Sequence, residues 1–383
     1  MKSSGKLIIG LAAFAYLGVS SLTVVRIGAQ TRMPTPMPGV KAGDAFRNVT
    51  TSTLKELSVD DFVASMGVIA AGLGLDCADC HPNAGTDTVD WSIDTPQKRT
   101  ARRMIEMVAT INRTQFGGAQ MVTCWTCHHG RQTPATSIML DNWYDAPNSE
   151  VDDLVVPDRN QPTPDQVFDK YLEALGGAQR LATLTSWVST GVSVGYAGLG
   201  GNAVFNTYAK APNQHATLIT FRDNPQRPNS VWAFNGRQGW IKTPRGLLQD
   251  YELVGDELDG QRFEAQLAFP GQIKQILTGW RVGLPRIIGD RSYTVVQGNG
   301  PRGFLGTLYF DRDTGLLKRV VRYGPSPIGR VLTQLDYGDY REVSGIKFPF
   351  EVTFSWLDGR YTAKLSNVQV NVPIEDGRFG QPQ

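Results

Sequence analysis

Apolar residues recur every three or four positions after Ser58, which predicts an amphipathic helix near the start of the chain. Ser58 is a suitable N-cap, because its hydroxyl can accept a hydrogen bond from an amide of the first helical turn. Two aspartates follow in that turn, where negative charge suits the helix dipole. We expect the helix to end at Gly72 or Gly74. The apolar positions are Phe62, Met66, Ile69 and Ala70.

A second helix is predicted after Thr95-Pro96, a typical start signal with proline in the first helical position. Its apolar positions again lie on one face, and the pair Gly117-Gly118 predicts its end. The positions of this face are Ala101, Met104, Ile105, Val108 and Ile111. The first third of the chain is therefore predicted to be mostly α-helical.

The pattern changes after residue 162. A capped helix comes first, with Thr163 as N-cap, Gln166 completing a capping box and Gly176-Gly177 as the stop. Short stretches of alternating apolar and polar residues follow, as expected for strands. These stretches are 187–194, 204–210, 217–221, 230–234, 306–310, 316–323, 331–337, 350–356 and 361–370.

One helix, over residues 264–278, is predicted to interrupt these strands. Hairpin turns are predicted at Asn235-Gly236, at Asp358-Gly359 and over residues 311–315. The C-terminal half is therefore predicted to be an antiparallel β half-barrel with helices. Together with the helical first part, this makes the chain an α+β multidomain protein.

Two segments rich in proline predict the boundaries between domains. The second of them is also acidic and separates a half that contains cysteine from a half that lacks it. The predicted divisions are a leader (1–30), a linker (31–44), a helical domain (45–144), an acidic Pro-rich linker (145–162) and a β-rich domain (163–383).

The leader contains two lysines followed by an uncharged, mostly apolar run over residues 7–25. This run is long for a signal peptide and just long enough to span a bilayer. It is predicted to be a signal peptide or an N-terminal membrane anchor. In either case the rest of the chain lies outside the cytoplasm, and we expect a periplasmic protein attached to the inner membrane.

Composition adds two constraints. The chain has 383 residues, of which 41% are hydrophobic, so most of it is expected to fold. Its formal net charge is only +2. A charge this small gives no bulk electrostatic attraction to nucleic acid, and none is expected as a partner.

The placement of cysteine is the strongest chemical signal. The chain has four cysteines, and C-x-x-C-H is the attachment signature of c-type haem. In that chemistry both cysteines bond covalently to the haem, and the histidine ligates the iron. We therefore predict two haem c groups. The two segments comprise Cys77, Cys80 and His81, and then Cys124, Cys127 and His128.

A four-cysteine zinc site and a pair of redox disulfides are the alternatives for these cysteines. The gap between the two pairs is far longer than the roughly 15–20 residues typical of such zinc sites. Neither alternative explains a histidine at the same offset twice.

Methionine is the expected sixth ligand, because His/Met ligation is typical of electron-carrying cytochromes c. Met66 precedes the first haem segment on the first predicted helix. Met104 and Met107 are both candidates for the second haem. Spacing alone does not choose between them, because they lie one helical turn apart.

The stretches MGVIAAGLGLDCADCH and ARRMIEMVATINRTQ with VTCWTCHHG resemble the cytochrome c subunit of photosynthetic reaction centres. The resemblance covers about residues 60–134. It implies that His81 and His128 are the proximal iron ligands and that Met66 is the sixth ligand of the first haem. It also implies that Met104, rather than Met107, is the sixth ligand of the second haem.

The resemblance implies an electron carrier that serves a membrane-bound redox complex, such as a photosynthetic reaction centre. Another cytochrome or a soluble electron donor is the implied second partner. The chain departs from this family in two respects. It has two haem motifs where well-known members have four, and it has His129 where arginine is usual after the proximal histidine.

The stretches KYLEALGG, DYREVSGIKFPFEVTF and NVQVNVPIEDGRF resemble half-barrel domains of the LolA/LolB type, which are related to periplasmic lipoprotein carriers. The resemblance covers roughly residues 164–379. Those domains hold acyl chains in an apolar cavity, so lipid or quinone tails are implied as ligands. A scaffold or docking role is the alternative.

We therefore predict an exported dihaem c-type cytochrome that carries single electrons and is not an enzyme. By the first resemblance, it donates them to the oxidised pigment pair of a reaction centre. One alternative is a lipid- or lipoprotein-binding protein with a haem sensor or tether domain. The other is a dihaem peroxidase, which requires one haem without a sixth ligand.

Overall fold

The computed structural model describes residues 39–86, 88–134, 136–137, 154–195, 202–222, 226–243, 250–357 and 359–383. The predicted leader, parts of both predicted linkers and the predicted turn residue Asp358 lie outside these ranges. Within them, no helix is both long enough and apolar enough to cross a membrane.

Both long helices predicted for the first part are confirmed. The Ser58 hydroxyl accepts the amide of Asp61 at 3.1 Å, and the first long helix ends at Gly74 in the left-handed conformation. The Thr95 hydroxyl accepts the amide of Lys98 at 3.2 Å at the start of the second. The helices described here are α1 (Ala42–Ala45), α2 (Val59–Leu73), α3 (Cys77–Cys80), α4 (Pro96–Gln115) and α5 (Cys124–His128).

The C-terminal half begins with the predicted capped helix and continues into strands. Thr163 and Gln166 form the predicted capping box. The helices are α6 (Pro164–Leu175), α7 (Ala178–Ala182) and α8 (Gly255–Leu267), with a 3-10 helix over Pro270–Gln275. The first strands are β1 (Ser186–Val194), β2 (Asn202–Lys210), β3 (Gln214–Phe221), β4 (Ser230–Phe234), β5 (Gly239–Lys242) and β6 (Asp250–Glu252).

The remaining strands complete one antiparallel sheet, in the order β6-β5-β4-β3-β2-β1-β14-β13-β12-β11-β10-β9-β7, with β8 paired to β9. The predicted antiparallel half-barrel with helices is confirmed by this topology. These strands are β7 (Thr278–Val282), β8 (Arg286–Ile288), β9 (Arg291–Asn299), β10 (Leu305–Asp311), β11 (Leu317–Ser326), β12 (Gly329–Val343), β13 (Ile346–Trp356) and β14 (Gly359–Val370).

The main core lies between one face of the sheet and the helices. Phe168 on α6 is fully buried, and its ring contacts those of Trp280 and Phe310 edge-on. Leu308 on β10 and Val296 on β9 belong to the same cluster. The inner face of the sheet is therefore packed with side chains.

The opposite face of β9 to β11 also carries apolar side chains, including Tyr293 and Tyr309, and residues 154–158 lie over it. The Val155 amide donates to the side-chain oxygen of Gln297 at 3.0 Å, and the Arg281 side chain donates to the Val155 carbonyl at 2.9 Å. This part of the predicted linker packs on the sheet.

The predicted helix over residues 264–278 is wrong in position. The helix spans Gly255–Leu267, and Thr278 begins a strand instead. Pro270 has no amide hydrogen to continue a helix, so the chain turns into a short 3-10 segment there. Five strands, β5 to β9, were not predicted. Three of them have only three or four residues. β9 does not alternate between buried and exposed positions, because six consecutive residues in it are buried.

Candidate functional site

The first Cys-x-x-Cys-His segment is a single helical turn closed by two aspartates. The Asp76 carboxylate accepts the amides of Ala78 and Asp79 at 2.7 and 3.2 Å. The Asp79 carboxylate accepts the Asp76 amide at 2.8 Å in return. This reciprocal capping box fixes the turn that carries Cys77 and Cys80. Both thiols are thus presented from one short, pre-formed element.

The second segment is closed in a similar way by threonine. The Thr123 amide donates to the Thr126 hydroxyl at 3.0 Å, and the two hydroxyls lie 3.3 Å apart. α5 then carries Cys124, Cys127 and His128 on little more than one turn. The sequence repeat is therefore also a structural repeat.

Asn112, which is 6% exposed on α4, holds the chain that leads into the second segment. Its side-chain oxygen accepts the amides of Met121 and Val122 at 3.1 and 2.9 Å, and its nitrogen donates to the Val122 carbonyl at 2.8 Å. One buried amide therefore fixes the position from which α5 starts.

The helix before the first segment packs on the second segment. The Gly130 amide donates to the Gly72 carbonyl at 3.0 Å. A Cβ atom on Gly72 would lie 2.8 Å from the Cβ of Cys124, and one on Gly74 would lie 2.1 Å from the Gly130 carbonyl oxygen. Only glycine permits this approach, so the two predicted haem segments are parts of one tightly packed unit.

The two histidines of the segments have different surroundings. Nδ1 of His128 lies 2.9 Å from the main-chain oxygen of Arg131, to which it can donate. A hydrogen bond of this kind orients a metal-bound histidine and leaves its other nitrogen for the metal. Nδ1 of His81 is buried and has no hydrogen-bond partner. Burial, and to a smaller extent the charge of Lys98, lowers the pKa of His81 to about 4, so the ring is neutral at neutral pH.

A tryptophan and a lysine complete the surroundings of the first segment. The rings of Trp91 and His81 meet edge-on with centroids 5.0 Å apart. Lys98 is 8% exposed, and its ammonium donates to the carbonyl oxygens of Trp91 and Ile93 at 2.9 and 2.8 Å. Burial lowers the pKa of this lysine. The Thr95 hydroxyl donates to the Cys80 carbonyl at 3.2 Å and so links α4 to the segment.

The three candidate methionines differ in their packing. Met66 is partly buried against the apolar cluster that includes Val68 and Ile105. Met104 and Met107 are 38% and 43% exposed on α4. Both thioethers of α4 are accessible, so the choice between them stays a prediction.

Several large apolar side chains between residues 93 and 125 are exposed. A porphyrin is a large apolar ring, and side chains of this kind suit its faces. The donor set of two thiols and one imidazole in each segment fits covalent haem as well. The exposed side chains are Ile93, Met104, Met107, Phe116, Met121 and Trp125.

All four cysteines lie in described residues, and none forms a disulfide there. Across the described ranges, no group of three or more Cys, His, Asp or Glu side chains is arranged to hold a metal ion. The four cysteines are thus not gathered into one cluster in this structure.

The sheet also contributes to this region, through the turn between β11 and β12. Ile328 in that turn is fully buried among Leu54, Val68 and Ile105. Val68 and Ile105 lie on α2 and α4, the two helices that carry the candidate methionines. The C-terminal half is therefore in direct contact with the helices of the predicted haem region.

A cavity of about 180 Å³ lies between α6 and the strands β9 and β10. It is lined by both polar and apolar side chains, among them Gln166, Lys170, Thr294 and Phe310. The implied lipid or quinone ligand of this half stays a prediction.

Sequence reasoning missed four residues that position the site: Asn112, Lys98, Trp91 and Ile328. A polar residue within the apolar face of α4 was a usable signal for Asn112. Nothing in the local sequence marks Ile328, because its buried partners, Leu54, Val68 and Ile105, lie more than 200 residues earlier in the chain.

Residues 22–170 match the family model described as photosynthetic reaction centre cytochrome C subunit. A reaction center cytochrome c subunit from Rubrivivax gelatinosus is 35% identical over 100 residues, which is 25% of this chain and 25% of that protein. The chain thus spans about a quarter of this relative. These matches confirm the first resemblance.

Two similar solved structures have 14% and 16% identity to this chain. One is a DUF1329 family protein from Desulfovibrio piger, with a TM-score of 0.39, covering 56% of this chain and 96% of its own. Another is a LolA superfamily protein from Nitrosomonas europaea, with a TM-score of 0.38, covering 57% of this chain and 98% of its own.

Proposed function

We propose that this chain is an exported dihaem c-type cytochrome that carries single electrons and performs no catalysis of its own. Cys77 and Cys80 would hold the first haem, and Cys124 and Cys127 the second. The observation that carries the proposal is the repeated Cys-x-x-Cys-His turn, held in a single unit by the contact between Gly72 and the second segment.

Haem iron supplies a one-electron couple when it is bound, and the chain's own residues supply its ligands. His81 and His128 are the proposed proximal ligands. Met66 and Met104 are the proposed sixth ligands, with Met107 as the alternative to Met104. A thioether ligand favours the reduced iron and gives a potential suited to electron transfer.

The proposed electron acceptor is a membrane-bound redox complex of the photosynthetic reaction-centre class, in which the oxidised pigment pair takes the electron. The proposed donor is another cytochrome or a soluble electron carrier. The match of residues 22–170 to the reaction-centre cytochrome family supports this choice. A periplasmic location, with the N-terminal segment attached to the inner membrane, belongs to the same proposal.

The optical spectrum of the reduced protein tests this function against the peroxidase alternative. Two six-coordinate, low-spin haems with Met–Fe ligation are expected. A permanent high-spin haem that reacts with hydrogen peroxide would favour the peroxidase instead. Isolation of the native complex from membranes identifies the partner, and copurification with a pigment-bearing complex is the expected result.

A lipid-binding role is the second candidate, and the resemblance of the C-terminal half to LolA/LolB-like domains favours it. Binding of a fluorescent fatty acid or quinone analogue by the full chain tests it. Displacement of the probe by unlabelled lipid would support a ligand site in the sheet. If the probe does not bind, the scaffold role of the C-terminal half is favoured.

A further inference from the structure

We propose that Trp91 is a positioning residue for the first haem, because its ring fixes the orientation of the His81 imidazole. The main chain of Trp91 is held in turn by Lys98 and Asn48. This inference rests on the proposed function, since it concerns the proximal ligand of a haem that the chain is proposed to hold. Trp91 thus takes the place of the hydrogen bond that normally orients such a ligand.

The two proposed proximal histidines differ in how their rings are held. A metal-bound histidine is normally oriented through its second nitrogen, which donates to a carbonyl or carboxylate oxygen. Nδ1 of His128 lies 2.9 Å from the Arg131 carbonyl oxygen and can be oriented in this way. Nδ1 of His81 is buried and has no hydrogen-bond partner. Packing therefore has to fix the orientation of the His81 ring.

Trp91 supplies this packing. The His81 amide donates to the Cys77 carbonyl at 2.8 Å, so the α3 turn already holds the main chain of His81. The ring can still rotate about two side-chain bonds. The centroids of the His81 and Trp91 rings lie 5.0 Å apart, and the ring planes are inclined at 63°. Because this is a favourable edge-on contact between aromatic rings, the position of Trp91 determines the orientation of His81.

Trp91 lies in neither a helix nor a strand, so its position depends on the side chains that bind its main chain. Its carbonyl oxygen accepts a hydrogen bond from Lys98 Nζ at 2.9 Å and from Asn48 Nδ2 at 3.0 Å. Lys98 also donates to the Ile93 carbonyl at 2.8 Å and so ties residues 91–93 to α4. Asn48 lies between α1 and α2. Two separate segments of the chain therefore hold Trp91.

Burial of Lys98 strengthens this arrangement. The side chain is 8% exposed, and a buried ammonium is tolerated only when it is hydrogen-bonded. Displacement of residues 91–93 would take both carbonyl acceptors away from this charge, which is costly. The hydrogen bonds of Lys98 therefore resist movement of Trp91.

Electron paramagnetic resonance of the oxidised protein measures the orientation of the histidine ring. In a low-spin ferric haem, the plane of an axial imidazole sets the splitting of the iron d orbitals, and this splitting determines the g-values. A loss of stability that leaves the ring in place does not shift them. The signal that disappears when Cys77 and Cys80 are replaced by serine belongs to the first haem.

The full-length protein with both haems attached is compared with three variants. Trp91→Ala should shift the g-values of the first haem and leave those of the second unchanged. Trp91→Phe keeps an aromatic edge at this position and should retain the wild-type g-values. Trp240→Ala removes a half-buried tryptophan from β5, and as the matched control it should shift the g-values of neither haem.

Two further variants test the hydrogen bonds to the Trp91 carbonyl. Asn48→Ala removes one of them without a change of charge and should shift the g-values of the first haem. It also keeps the test possible if the Trp91→Ala protein attaches no haem. Lys98→Met should shift the same g-values. It should add no further shift to that of Trp91→Ala, because Lys98 acts through Trp91.

Three results would overturn the proposal. The g-values of the first haem could stay unchanged in Trp91→Ala or in Asn48→Ala, Trp240→Ala could shift them as well, or Lys98→Met could add its own shift to that of Trp91→Ala. A wild-type protein that attaches no haem contradicts the proposed function instead, so the two failures are distinguishable.

Discussion

Gln120 donates a hydrogen bond from its side-chain nitrogen to the main-chain oxygen of Ser326 at 2.6 Å. Gln120 precedes the second haem segment, and Ser326 ends strand β11. Two residues further on, Ile328 is buried against the helices that carry the candidate methionines. The two halves of the chain therefore meet at the predicted haem region, although no predicted ligand comes from the sheet.

Ile328→Ala is expected to destabilise the helical half. Removing a fully buried isoleucine side chain costs about 2–5 kcal/mol of the free energy of unfolding. Unfolding in urea, monitored by the haem spectrum, measures this loss. Ile287→Ala is the matched control, because Ile287 is 77% exposed, and it should unfold at the wild-type urea concentration. If both variants unfold at the same urea concentration, the turn contributes nothing to the stability of the helical half.

Gly72→Ala should damage the second haem site. In an open helix this change would favour folding by about 1 kcal/mol. The new Cβ would instead lie 2.8 Å from the Cβ of Cys124, so α5 has to shift. We expect a lower free energy of unfolding and incomplete attachment of the second haem. Intact mass measures the attachment. Gly377→Ala, which meets no atom within 4 Å, is the control and should attach both haems fully.

Asn112→Leu should loosen the chain before Cys124. The change removes three hydrogen bonds and leaves the amide and the carbonyl of Val122 without partners, while the Met121 amide keeps the Ala119 carbonyl at 3.0 Å. Each unsatisfied buried group costs about 1–3 kcal/mol. The midpoint temperature of thermal unfolding should be well below that of Gln115→Leu, which changes an exposed position on the same helix. If the two variants melt together, Asn112 does not position the second segment.

The long helices were predictable from sequence, and the sheet was predictable only in part. Ser58 and Thr95 cap their helices through local hydrogen bonds, and local signals predicted both starts. The helix predicted over residues 264–278 failed because the capping signals near Gly255 are weak. In the candidate site, the role of Lys98 was not predictable either. Its partners are set by the fold of residues 91–93, which has no helical or strand periodicity.

Stability should depend on pH through Asp60. This carboxyl is 6% exposed, accepts the Val254 amide at 3.2 Å and faces Asp61 and Glu257. Burial raises its pKa to about 7. The folded chain then holds a proton that the unfolded chain releases near pH 4, so stability falls as the pH rises from about 4 to about 7.

Asp60→Asn should remove part of this dependence, because burial also raises the pKa of Asp256 to about 7. The variant should gain on the order of 2 kcal/mol in unfolding free energy at pH 8 relative to the wild type, and little at pH 4. Asp44→Asn, at an exposed aspartate, is the control and should keep the wild-type pH profile. An unchanged profile in Asp60→Asn would show that another group governs it.

The sixth ligand of the second haem is tested by a matched pair on α4. Met104→Ala should convert one haem to high spin and lower its midpoint potential, because the thioether stabilises reduced iron. Met107→Ala should do neither. The visible spectrum and a redox titration read both effects. The opposite result would assign the ligand to Met107, one turn further along the helix.

The central claim is that the chain binds two haems covalently, and intact mass measures this most directly. Protein produced with a cytochrome c maturation system should gain the mass of two haems. Cys77→Ser with Cys80→Ser should gain one, and so should Cys124→Ser with Cys127→Ser. A native protein that carries zinc and no haem, or a wild-type mass without any gain, would contradict the account.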